Sequence, residues 1–197
     1  MPAFGEWPEE AAIVSRVLAC YGEHEFTLAV ALGRALGDVR KGLRVFFRSR
    51  GETARIGLAD LLTRDAMQAA GLKDQFADTI GGMRVCVQFR NMFAHCHWGS
   101  LKHGLASDGL FFVSLDRAAQ SGSTIRYEWQ HASMPWLQQV EAYFDYTARC
   151  LWHVEDKLGS FLGRPASQAF PMPAKRKPPP TTMAASPQAK ALLPAEY

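Results

Sequence analysis

Gln88 to Gly99, QFRNMFAHCHWG, places Arg90, Asn91, His95 and His97 within eight residues at the end of an apolar, helix-patterned run. Each residue type has its own chemistry. A histidine titrates near neutral pH and can take or give a proton. A guanidinium binds phosphate or carboxylate through a planar fork of N–H groups. An asparagine four positions before a histidine shares its helix face and can orient it or hold a ligand oxygen.

Position argues for a site. From Leu72 the apolar residues Phe76, Ile80, Met83 and Val87 step by three or four, and the same step next reaches Arg90 or Asn91, then Ala94. Arg90 and Asn91 therefore fall near opposite edges of the buried stripe, with His95 just beyond Asn91. Buried polar groups cost free energy unless something satisfies them. A frayed, solvated helix end is the competing explanation. The other face of the helix, Val85, Phe89, Met92, Phe93 and Cys96, is also apolar. A helix apolar on both faces is covered on both, here either by the last helix of the same chain or by a second subunit.

Other groupings are less specific. His95, Cys96, His97 and His103 are metal-ligand types, but no carboxylate or second cysteine has matching spacing, so no metal and no cofactor is expected. His97 and Trp98 are candidates to line a substrate groove, Trp98 by stacking a base, although such a tryptophan more often caps a core. Glu25, in YGEHEF, is a weaker candidate that could pair with Arg90; a solvated helix face is the commoner explanation.

The elements that must position these groups are mostly helical. Apolar spacing and glycine stops predict helices over about 9–36, 41–49, 52–70 and 72–95, and a long last helix from Pro135 to about Leu162. Between the last two long helices, GLFFVSL and STIRYEW predict a small antiparallel β insertion over about 100–131. The predicted fold class is mainly α, a helical bundle with that insertion, as one domain over residues 1–163. Eight of the eleven prolines lie at or after Pro165, and residues 164–197 lack any period, which predicts a disordered, Pro-rich, basic tail. That tail carries +4 of the formal +3 net charge, leaving −1 on the rest. The folded part thus has no general affinity for long duplex DNA, though a local basic patch stays open. The scattered cysteines read as reduced thiols. With an acidic N-terminal stretch and no apolar run of about 20 residues, they predict a cytoplasmic protein with no membrane association and no secretory leader.

RNMFAH, with Arg90, Asn91 and His95, resembles the R-x4-6-H motif of the HEPN-domain family. The resemblance implies a small helical bundle, often a homodimer with two motifs facing each other. It also implies metal-independent endoribonuclease activity, with RNA as substrate, in toxin–antitoxin, phage-defence or RNA-processing systems, where an antitoxin or other protein is a partner. A non-catalytic relative would use the same pocket to bind a nucleotide or a protein. His97 departs from a toxin subgroup that carries tyrosine at that position. The residue types fit: His95 would take the proton of the RNA 2′-OH, Arg90 would hold the scissile phosphate, and Asn91 would orient His95 or bind phosphate. Arg90 and His95 stand about 140° apart on an ideal helix, so a dimer is one way to bring an arginine and a histidine to one phosphate.

Overall fold

The computed structural model describes residues 2–101, 109–115, 129–165 and 170–181. It is mainly helical with a small three-stranded antiparallel sheet. In chain order the elements are α1 (Pro2–Glu6), α2 (Pro8–Ala35), α3 (Val39–Arg48), α4 (Glu52–Ala69), α5 (Lys73–His95), β1 (Cys96–Leu101), β2 (Gly109–Ser114), β3 (Gln130–His131) and α6 (Met134–Phe161). Gly37, Gly51 and Gly71 separate α2 to α5, each at positive φ, where a glycine turns the chain without Cβ strain. No described helix is long and apolar enough to cross a membrane.

Two compact units are distinguishable, each with its own core. One comprises residues 19–87 and 142–178. Its interior is built from Leu28 and Leu32 of α2, Phe46 of α3, Ile56 and Met67 of α4, Ile80 and Met83 of α5, and Phe144, Leu151 and Val154 of α6. Close approach is built in twice. A Cβ on Gly42 would lie 2.2 Å from Gly33 Cα, so α3 rests backbone to backbone on α2. A Cβ on Gly82 would meet the Thr147 side chain at 3.0 Å. At the rim, Glu25 receives Arg55 Nη1 at 2.9 and 3.2 Å, and Arg34 pairs with Glu155.

The other unit comprises residues 1–18, 88–141 and 179–197. Its centre is aromatic. Trp136 stacks on Phe112 with ring centroids 5.7 Å apart, and meets Phe93 edge-on at 5.7 Å and Phe89 at 6.0 Å. Trp98 fills the gap between Phe4 (5.3 Å), Phe93 (5.7 Å) and Phe112 (5.4 Å). This cluster settles the second apolar face of α5. Phe89 is fully buried within the chain, and Phe93 nearly so, under Trp136 and its neighbours. The two phenylalanines therefore give no ground for a second subunit.

The sheet has the order β1-β2-β3. In the β1–β2 ladder Cys96 faces Ser114, Trp98 faces Phe112 and Leu101 faces Gly109, and Phe112 also pairs with Gln130 of β3. It begins earlier than the sequence suggested: β1 starts at Cys96, directly after the last residue of α5, with no loop. The second predicted strand, STIRYEW, lies outside the described residues except for its final Trp129.

Residues 170–181 depart from the predicted disordered tail. In the first unit, Phe170 O lies 2.6 Å from His153 Nδ1, and Lys175 Nζ donates to both oxygens of Asp78 at 3.0 and 3.1 Å. In the second, the Trp136 indole N–H donates to Pro180 O at 3.0 Å, and Pro179 is buried. The segment docks through single contacts and not through a periodic face, which is why its sequence carries no period.

Candidate functional site

The C-terminal end of α5 and the adjoining end of the sheet enclose a cavity of about 500 Å³. Asn91 and His95 line it from the helix, with Cys96, Phe112, Ser114 and Gln130 from the sheet. The 96–114 register pair brings Cys96 and Ser114 to one end of the ladder, and strand alternation keeps Cys96 on the same side as Phe112 and Gln130. Helical spacing puts Asn91 and His95 on one face, four residues apart. The cavity is of the size that takes a small organic group.

The three motif residues act unequally. His95 is exposed and opens into the cavity, and Asn91 is half-buried beside it. Arg90 does not line the cavity. Its Nη1 donates to Asn91 Oδ1 at 2.9 Å. A guanidinium only donates, so the asparagine must present its oxygen to Arg90, which turns Nδ2, a donor, away from it. Arg90 thus contacts Asn91 and stands outside the cavity lining, whereas the motif alone put it on a phosphate.

The remaining sequence candidates sit elsewhere. Trp98 is only 6% exposed, with rings packed on it from Phe4, Phe93 and Phe112. Its indole N–H donates to Phe93 O at 3.3 Å, satisfying one of the carbonyls that the end of α5 leaves without an intrahelical partner. Trp98 caps the core and presents no face to a base. His97 is exposed but alternates to the other side of β1, with its ring edge-on to Trp129 at 5.9 Å, and it does not line the cavity. Glu25 pairs with Arg55 and not with Arg90. Strand alternation also separates Cys96 from His97, and His103 lies outside the described residues. Among the described residues, no three of His, Cys, Asp and Glu gather as a metal-binding group.

Two further groups, Cys96 and Gln130, line the cavity from the sheet. Cys96 is a neutral thiol, because burial pushes its pKa up to about 12. Gln130 is 9% exposed, and its Oε1 is buried with no hydrogen-bond partner among the described residues. A buried acceptor left unpaired costs about 1–3 kcal/mol, and this oxygen is closed off from solvent. The cavity therefore brings the His95 imidazole and the Asn91 amide together beside the rings of Phe89 and Phe112. Comparison of the chain with protein-family models, curated proteins and solved structures gives no match.

Proposed function

We propose that the chain is a metal-independent endoribonuclease of the HEPN kind, with His95 as general base. The observation that carries this reading is that Asn91 and His95 line one cavity and Arg90 donates a hydrogen bond to Asn91. His95 takes the proton of a ribose 2′-OH. The 2′-oxygen attacks the adjacent phosphorus, the bond to the 5′-oxygen breaks, and the leaving oxygen takes a proton from solvent. The products are a 2′,3′-cyclic phosphate and a 5′-hydroxyl. Asn91 Nδ2 donates to a phosphate oxygen as charge develops there.

Among the described lining residues there is no lysine or arginine. A homodimer that brings a second Arg90 to the cavity supplies the missing cation, and sedimentation of the purified protein tests that part of the reading. The resemblance extends the proposal to a toxin or defence role with an antitoxin or other protein partner.

A second reading has one observation in its favour. A lining of amides, hydroxyls and rings without lysine or arginine suits the base or ribose of a nucleotide held without chemistry, as in a non-catalytic binding module. Incubating a structured RNA with the protein in EDTA, and identifying the product ends, separates the two. Cyclic phosphate ends support the nuclease. Nucleotide binding by calorimetry, with no cleavage, supports the binding module and overturns the nuclease.

A further inference from the structure

A second polar surface lies on α3, away from the motif in sequence. At 100° per residue, Phe47, Arg40, Arg44, Arg48 and Lys41 fall within an arc of about 120°, and all five are exposed. Gly42 and Phe46 are buried on the other side. From Arg40 to Arg48 the row runs about 12 Å along the helix axis. No acidic residue occurs between Asp38 and Glu52. Among the described residues, no carboxylate forms an ion pair with these four cations. Asp38 caps the helix, its Oδ1 accepting from the backbone N–H of Arg40 (2.8 Å) and Lys41 (3.1 Å). Arg40, Lys41, Arg44 and Arg48, with Asp38 and Val45, line an open surface recess of about 490 Å³.

Like charges at i, i+4 disfavour a helix by a few tenths of a kcal/mol per pair, so this row weakens α3 unless an anion neutralises it. The helix is nevertheless held firmly, since Gly42 meets Gly33 backbone to backbone. Phe47, 45% exposed, stands at the edge of this arc, with the Arg55 guanidinium 5.5 Å from its ring centroid on one face. An aromatic ring beside a row of cations is the pattern that holds a single-stranded nucleic acid, with phosphates on the charges and an unstacked base on the ring.

We propose that this face of α3 binds the backbone of single-stranded RNA, with Arg40, Arg44, Arg48 and Lys41 on phosphates and Phe47 under a base. The charged surface stands on its own observations; the choice of RNA as the polyanion rests on the reading of the cavity. An anionic membrane fits less well. The apolar side of α3 is buried in the fold, so the helix has no free apolar face to insert beyond Phe47.

The test is fluorescence anisotropy of an end-labelled oligouridylate of about ten nucleotides with the full chain, titrated at several salt concentrations. Four phosphate contacts predict a slope of log affinity against log salt near −2.8, and Arg40→Gln with Arg44→Gln makes it shallower by about 1.4. The same pair should weaken binding at least about tenfold at low salt without lowering the melting temperature. Lys41→Gln with Arg48→Gln should repeat the result, and Phe47→Leu should weaken binding with the slope unchanged. Unchanged affinity in both double variants overturns the proposal, as does loss of binding to phosphatidylserine vesicles with RNA binding retained. If RNA is cut while the α3 variants bind normally, the surface is refuted and the cavity reading stands. If α3 binds RNA that is never cut, the surface stands and the nuclease reading falls.

Discussion

Substituting alanine for glycine at two helical positions should move stability in opposite directions. At Gly42 the added Cβ would lie 2.2 Å from Gly33 Cα, 2.4 Å from Gly33 N and 3.0 Å from Ala29 O. All three are backbone atoms that no side-chain rotation can remove. Non-bonded carbons rest about 3.5–4.0 Å apart, so α3 would have to retreat by more than about 1 Å, opening space beside the fully buried Phe46. Overpacking of this kind costs about 1–3 kcal/mol, and the lost packing of Phe46 adds to it. The intrinsic preference of a helix for alanine returns only about 0.8–1.0 kcal/mol. Gly42→Ala should therefore lose about 2 kcal/mol net. At Gly57, in α4, an added Cβ meets nothing within 4 Å, so Gly57→Ala should gain about 0.5–1 kcal/mol. Urea unfolding monitored by circular dichroism measures both, and a shift in midpoint at constant slope isolates the stability change. Gly42→Ala as stable as the wild type would refute the close contact between α2 and α3, and with it the fixed presentation of the basic face.

Removing residues 166–197 deletes the carbonyl that receives the Trp136 indole, the burial of Pro179 and the contact on His153. Two hydrogen bonds at about 0.5–1.5 kcal/mol each, plus the lost packing, predict a melting temperature lower by about 4–8 °C, and an unchanged value would show that the segment is not docked. The pH dependence of stability should carry the signature of His24, 1% exposed, whose pKa burial lowers from 6.5 to about 4. Between those values the unfolded chain binds the proton and the folded chain does not, so stability is full above about pH 6.5 and falls as the pH drops toward 4. The expected loss from pH 7.5 to pH 5 is about 2 kcal/mol, measured as the difference between wild type and His24→Leu; identical pH profiles for the two proteins would remove His24 as the cause.

The helices were legible because their burial is periodic and their ends are glycines. Leu28 with Leu32, and Ile80 with Met83, recur at helical spacing, and Gly37, Gly51 and Gly71 stop the chain where positive φ is needed. Around the site, the sequence placed Asn91 and His95 together because a four-residue step on one helix is unambiguous. It left Trp98 between a groove and a core cap, because the neighbours that decide, Phe4 and Phe112, come from distant segments. Gln130 was invisible, since β3 is two residues long and shows no alternation. The row on α3 was hidden by summing charge over 163 residues, where acidic groups elsewhere cancel a local cluster. The docked segment escaped notice because a tryptophan–carbonyl hydrogen bond and one buried proline leave no pattern to find.

The central claim, that His95 performs proton transfer in RNA cleavage, is tested most directly by single-turnover cleavage of a structured RNA in EDTA by wild type and His95→Ala. Loss of a general base predicts a rate lower by about 10²–10⁴-fold, with an unchanged melting temperature because His95 is exposed. Cleavage by His95→Ala at the wild-type rate, or complete inhibition of the wild type by EDTA, would contradict the account.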